Sequence, residues 1–191
     1  MNENYVHHAM PEGAEEGIIK GIYKFRAVAD GDANVAKKFK HHVRLLGGGT
    51  ILREVMKAAT MLETEWNIGA EIYSVTSFNE LARNGLDVER WNMLHPNDDP
   101  KVPYITQVLG NDDAPVVSST DYMKTYSDQV RQYVPATFTA LGTDGFGRSD
   151  TREKLREFFE VDSRYVTIAA LHALAKDGKM DSVTVAKAVQ Q

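Results

Sequence analysis

Residues 43–62 read VRLLGGGTILREVMKAATML, and the fold follows from how they are parsed. Val43 to Leu46 suits a buried strand, Gly47-Gly48-Gly49 a tight turn, and Ile51, Leu52, Val55, Met56, Ala59 and Leu62 recur at helical spacing. The unit is strand, turn, helix, and it repeats. Ala70 to Val75 reads as a second strand, and Ser77 with Glu80 three residues on forms a capping box that opens the next helix. Gly85 is expected to end that helix. Asp87 then caps a second short helix with Val88, Trp91 and Leu94 on one buried side, until Pro96 stops it and biases His95 away from helical angles.

Downstream, Tyr104 to Leu109 is ambiguous between helix and strand, and Pro115 to Ser119 has the pattern of a buried strand. Asp121 is expected to open a helix carrying Tyr122, Met123, Tyr126, Val130 and Tyr133 along one stripe, and Phe138 to Leu141 gives another strand. A second glycine turn, Gly145 to Gly147, precedes a capping box from Asp150 to Glu153. Helical stripes follow through Leu155, Phe158 and Phe159, then through Val166, Ala169, Ala170 and Leu174, and Asp181 to Val189 closes the series. Upstream, 13–20 is a short helix and 21–28 an alternating strand at a sheet edge, with DGDANVAKKFKHH as a polar connector. Strands that alternate with helices pair in parallel, because each crossover needs a helix's length; the expectation is a three-layer α/β/α domain with about five strands.

With 191 residues and 42% hydrophobic content, the chain supports one core, and a lead-in segment over residues 1–20 that turns on Pro11 and Gly13 reads as a linker into a domain over 21–191. A formal net charge of −5 gives no overall attraction to nucleic acid or to an anionic membrane. The absence of cysteine removes thiolate metal sites, iron–sulfur clusters and cysteine nucleophiles, and suits the cytoplasm. No apolar run approaches a membrane span, and the first residues lack a signal-peptide pattern.

The candidate sites carry little chemistry of their own. Gly47, Gly48, Gly49 and Thr50 sit where a parallel sheet binds phosphate, yet Leu52 stands at the third glycine of the dinucleotide pattern and no Gly-Lys-Ser/Thr follows. Gly145, Gly147, Arg148 and Ser149 also follow a strand and open a helix, but Thr151 replaces the glycine that a nucleophile elbow needs. These two turns are retained as candidates for a small anion or metabolite, and not as a catalytic or coenzyme site. Histidines 7, 8, 41, 42, 95 and 172 show no metal-binding spacing, and adjacent histidines on a strand point to opposite faces. The cluster KKFKHHVR, 37–44, reads as a solvated connector rather than a nucleic-acid contact. The run Trp91, Met93, Leu94 and His95 is either packing within the domain or a contact with a neighbouring domain.

Seven stretches, NENY, MPEGAEEGIIKGIYKF, LLGGGTILREV, YSVTSFNELARNG, ERWNMLHP, STDYMKTYSDQVRQYVP and LGTDGFGRSDTREKLREFFEVD, are spread in order from residue 2 to residue 162. Together they resemble the C-terminal domain of the homodimeric, bacterial-type pyruvate dehydrogenases, with a more distant likeness to transketolase. That resemblance implies a mostly parallel sheet with an antiparallel edge strand. It also implies a parent enzyme that uses thiamine diphosphate and magnesium to decarboxylate pyruvate and to pass the acetyl unit to lipoyl groups on a dihydrolipoyl acetyltransferase core. In such a parent the cofactor lies between two preceding domains of a homodimer. The catalytic, cofactor and metal residues are then expected outside this chain, which is left a scaffold that is inactive alone.

Overall fold

In the computed structural model, which describes residues 8–190, the sheet is built outward from β2 (His41–Gly48). The chain enters through α1 (Glu15–Lys20) and β1 (Ile22–Arg26), and a short α2 (Ala33–Ala36) capped by Asp32 precedes β2. Then come α3 (Leu52–Glu65), β3 (Ile68–Val75), α4 (Phe78–Leu94), α5 (Tyr104–Leu109), β4 (Val116–Ser119) and α6 (Lys124–Asp128). The fold closes with β5 (Phe138–Leu141), α7 (Arg152–Phe158), α8 (Ser163–Lys176) and α9 (Ser182–Val189). Among the described residues the strand order is β1-β3-β2-β4-β5, parallel except for antiparallel β1 at the edge. The expected three-layer α/β/α architecture is present. The reading of the lead-in segment at 1–7, including His7, lies outside the described residues.

Period-two alternation splits the sheet's side chains between two cores. Val43, Leu45, Ala70, Ile72 and Val117 pack with α3 and α8, whereas Leu46, Tyr73, Val75, Val116 and Phe138 pack with α4, α5 and the Val130–Val134 turn. On the second face a polar chain ties three strands together. Arg44, only 6% exposed, meets Glu71 at 3.2 Å and Asp112 at 2.5 Å, while Glu71 also receives Lys24 at 2.5 Å and the Tyr73 hydroxyl at 3.0 Å. Burial pushes the Glu71 carboxyl up, but Lys24, Tyr73 and Arg44 together outweigh it and hold the group below the usual carboxylate range. The Arg44 hydrogen bond does the same for Asp112.

Several local expectations are corrected. His41 and His42 are the first residues of β2, paired with Ile68 and Gly69, and not the end of a connector; the strand likewise runs on through Gly47 and Gly48 before turning. At the edge, β1 stops at Arg26, and the chain turns through Ala29 and Asp30 with positive φ. Helix α4 is continuous through Gly85 and Asp87. A Cβ on Gly85 would lie 2.1 Å from the Tyr133 ring, so this glycine makes room for a neighbour and ends nothing. Ser77 accepts from the Glu80 amide at 3.1 Å, but the Glu80 carboxylate bonds Arg83 instead of completing the box.

The buried face of α4 ends at Val88. Trp91 is half-buried and Leu94 is 51% exposed, against expectation. The stripe from Tyr122 to Tyr133 is also broken. Tyr122 and Met123 stay outside the helix, since the Tyr122 carbonyl accepts from the Thr143 amide at 2.9 Å and the Lys124 amide donates to Asp144 at 3.0 Å. Only Val130 and Tyr133 of that stripe are buried. The cap of α7 is Thr151, accepting from the Lys154 amide at 3.3 Å, while Asp150 accepts from the Thr151 amide; the expected Asp150–Glu153 box is absent.

Candidate functional site: the carboxyl edge of the sheet

Because β3 lies on one side of β2 and β4 on the other, successive connections leave the sheet in opposite directions between β2 and β4. A crevice opens outside the carboxyl ends of strands at such a switch point, and it is where open α/β sheets hold ligands. Both glycine turns arrive at this edge. The first ends β2: a Cβ on Gly47 would stand 2.7 Å from the Leu52 Cα, so glycine is needed there for α3 to pack, and Gly49 turns with φ +57. The second follows β5, with Gly145 at φ +90 and Phe146 on the tip 96% exposed.

Two clefts share this edge, with Thr50 as their common wall. The larger, about 760 Å³, is bounded by Tyr23, Phe25, Gly48, Gly49 and Met56, and by Tyr122 and Tyr126 from the broken stripe. The smaller, about 420 Å³, brings Thr50 and Asp121 against Thr143, Gly145, Gly147 and the arginines 148, 152 and 156. Arg148 lies over the Phe158 ring at 4.1 Å. Arg156 bonds the buried Glu54 at 3.1 Å, and Glu54 also accepts from Lys57 and from the Ser163 amide, which locks α3 to α7 and α8.

Of the residues singled out in the sequence, Thr50, Gly145, Gly147 and Arg148 converge in the smaller cleft and Gly48 and Gly49 in the larger, whereas Gly47 serves packing. Ser149 faces a shallow depression with Arg148, Asp150 and Lys154, with no histidine among its lining. The Lys154 ammonium is bonded by Glu157 at 2.9 Å, and that bond raises its pKa, which makes it unfit to accept a proton from Ser149. Sequence reasoning missed Asp121, Thr143, Arg152 and Arg156. The recurrence of arginine every fourth residue after the second glycine turn was the available signal.

The Trp91 run builds a different feature. The indole is stacked on His95 at 4.4 Å with rings 9° from parallel, Lys101 Nζ lies 4.0 Å from its centroid, and Asn92 bonds the Lys101 backbone at both its N–H and its C=O. This clamp leaves Met93 71% exposed beside Leu94. No three histidine, cysteine, aspartate or glutamate residues converge as metal ligands among the described residues. The oxygen-bearing side chains on the arginine-lined cleft are Asp121, Thr50 and Thr143, with Asp121 its single carboxylate. Nor is any helix among the described residues long and apolar enough to cross a membrane.

Comparison with known proteins agrees with the architecture. Residues 21–162 match the family model of the transketolase-like TK C-terminal domain. The chain is 57% identical over 190 residues to the pyruvate dehydrogenase E1 component of Escherichia coli strain K12, covering 99% of this chain and 20% of that protein. The Pseudomonas aeruginosa protein of the same name is 56% identical over 190 residues, covering 99% of this chain and 21% of its own length. The chain thus spans about a fifth of the length of the curated relatives it matches. Among solved structures, transketolase from Leishmania mexicana superposes with a TM-score of 0.53 at 19% identity, over 84% of this chain and 19% of that one, a likeness of fold alone. On these matches and on its topology, the chain belongs to the transketolase-like C-terminal domain family.

Proposed function

We propose that this chain is the C-terminal domain of a homodimeric pyruvate dehydrogenase first component. The observation that carries the reading is identity of 57% along 99% of the chain to one contiguous fifth of such a protein. In this reading residues 1–20 connect to a preceding domain and 21–191 form the C-terminal unit. The parent decarboxylates pyruvate on thiamine diphosphate and magnesium and transfers the acetyl unit to lipoyl groups of a dihydrolipoyl acetyltransferase core in the cytoplasm. This unit supports the dimer and holds the cofactor-binding domains in register, without supplying catalytic groups.

The test is a chimaera in which this chain replaces the matching segment of the Escherichia coli protein. Pyruvate-dependent acetylation of lipoyl domains is expected to persist, with the chimaera a dimer in sedimentation. A folded dimer with no activity would remove the proposal.

A further inference from the structure

Beyond that structural role, we infer that the smaller cleft at the carboxyl edge is a binding site for a small polyanion, a ligand bearing two or more phosphate or carboxylate oxygens. Three arginines at intervals of four, 148, 152 and 156, line one wall of a crevice in a chain whose net charge is −5. Arg152 and Arg156 lie one turn apart on α7, and Arg148 joins them from the glycine turn that precedes the Thr151 cap, so three cationic groups reach one small space. Glu54 answers Arg156 from within the fold, and Asp121 is the single carboxylate on the cleft's lining.

The guanidinium groups are also held in place before any ligand arrives. Arg148 rests on Phe158, Arg156 is fixed by Glu54, and Arg152 has a partner of its own. A guanidinium carries five donors in a rigid fork, and a fork already fixed by the fold loses little freedom when it meets an oxyanion. Opposite the arginines, a Cβ on Gly145 or Gly147 would meet nothing within 4 Å, so the turn gives a ligand close access to backbone. At about 420 Å³ the space suits a compact organic acid or a diphosphate.

Titration calorimetry of the chain with citrate and with inorganic pyrophosphate, at ionic strength matched by sodium chloride, tests the inference and separates the carboxylate from the phosphate class. Saturable one-site binding of at least one probe is expected. The double variant Arg148→Gln/Arg152→Gln is expected to bind at least about ten-fold more weakly, Asp121→Asn more tightly, and the distant Arg83→Gln unchanged. Circular dichroism of each variant shows that it is folded. Binding of neither probe, or binding that survives the double variant, overturns the site. The readout is independent of pyruvate chemistry, so its failure leaves the parentage untouched.

Discussion

Arg44 is where a single side chain organises the second face of the sheet. It is buried between Glu71 and Asp112, and both carboxyls are held below their ordinary range. A carboxylate with a lowered folded-state pKa stabilises the fold above its unfolded value, and that contribution is lost as pH falls through the folded value. The pair should therefore weaken the protein on acidification, beginning below about pH 4.5. Glu71→Gln removes the Glu71 share. The variant is expected to be less stable by about 2 kcal/mol at pH 7 and to approach the unsubstituted chain as acidification protonates Glu71 in the folded state. Urea midpoints at a series of pH values measure this, and a gap of constant size across the series would show that charge on Glu71 is not the source.

At the scale of elements, α4 shows what a sequence conceals. Gly85 followed by Asp87 has the form of a stop and a new cap, and nothing local reveals that the Tyr133 ring, 48 positions later in the chain, occupies the space where a Cβ would be. Gly85→Ala should therefore destabilise, by about 2 kcal/mol, despite alanine's better helix propensity. In a Tyr133→Ala background the same change should become neutral or stabilise by up to about 1 kcal/mol, because only the propensity gain remains. Denaturant unfolding of the four proteins gives the coupling, and equal effects in both backgrounds would contradict the account. The same distinction separates the legible parts of the fold from the rest. β3, β4, β5 and α8 were legible because burial follows the local apolar pattern there, and α9 because Asp181 caps it. The Tyr122–Tyr133 stripe failed because Thr143 and Asp144 claim backbone groups from a distant loop. The smaller cleft was half legible: its glycine turns follow strands, but that Arg152, Arg156 and Asp121 meet them is decided only by the strand order.

At the scale of the whole molecule, the outer end of α4 is the surface that the domain by itself does not explain. Trp91 is held by His95 and Lys101, which fixes the helix end and leaves Met93 and Leu94 presented to solvent. Relatives that contain this unit are about five times longer, and an apolar pair on a rigid helix end beside polar groups has the composition of an inter-domain contact. If a neighbouring domain covers it, each side chain gains about 1.5 kcal/mol or more on burial. Within the isolated chain, Met93→Glu/Leu94→Glu should then change unfolding stability by no more than about 0.5 kcal/mol, since neither residue contributes to a core. In the chimaera with the Escherichia coli protein the same double variant should lower the thermal midpoint by roughly 2–4 °C. Parallel melts of the two proteins decide it: losses of equal size in both would place Met93 and Leu94 within this domain's own packing, and no loss in either would leave the helix end an ordinary solvated surface.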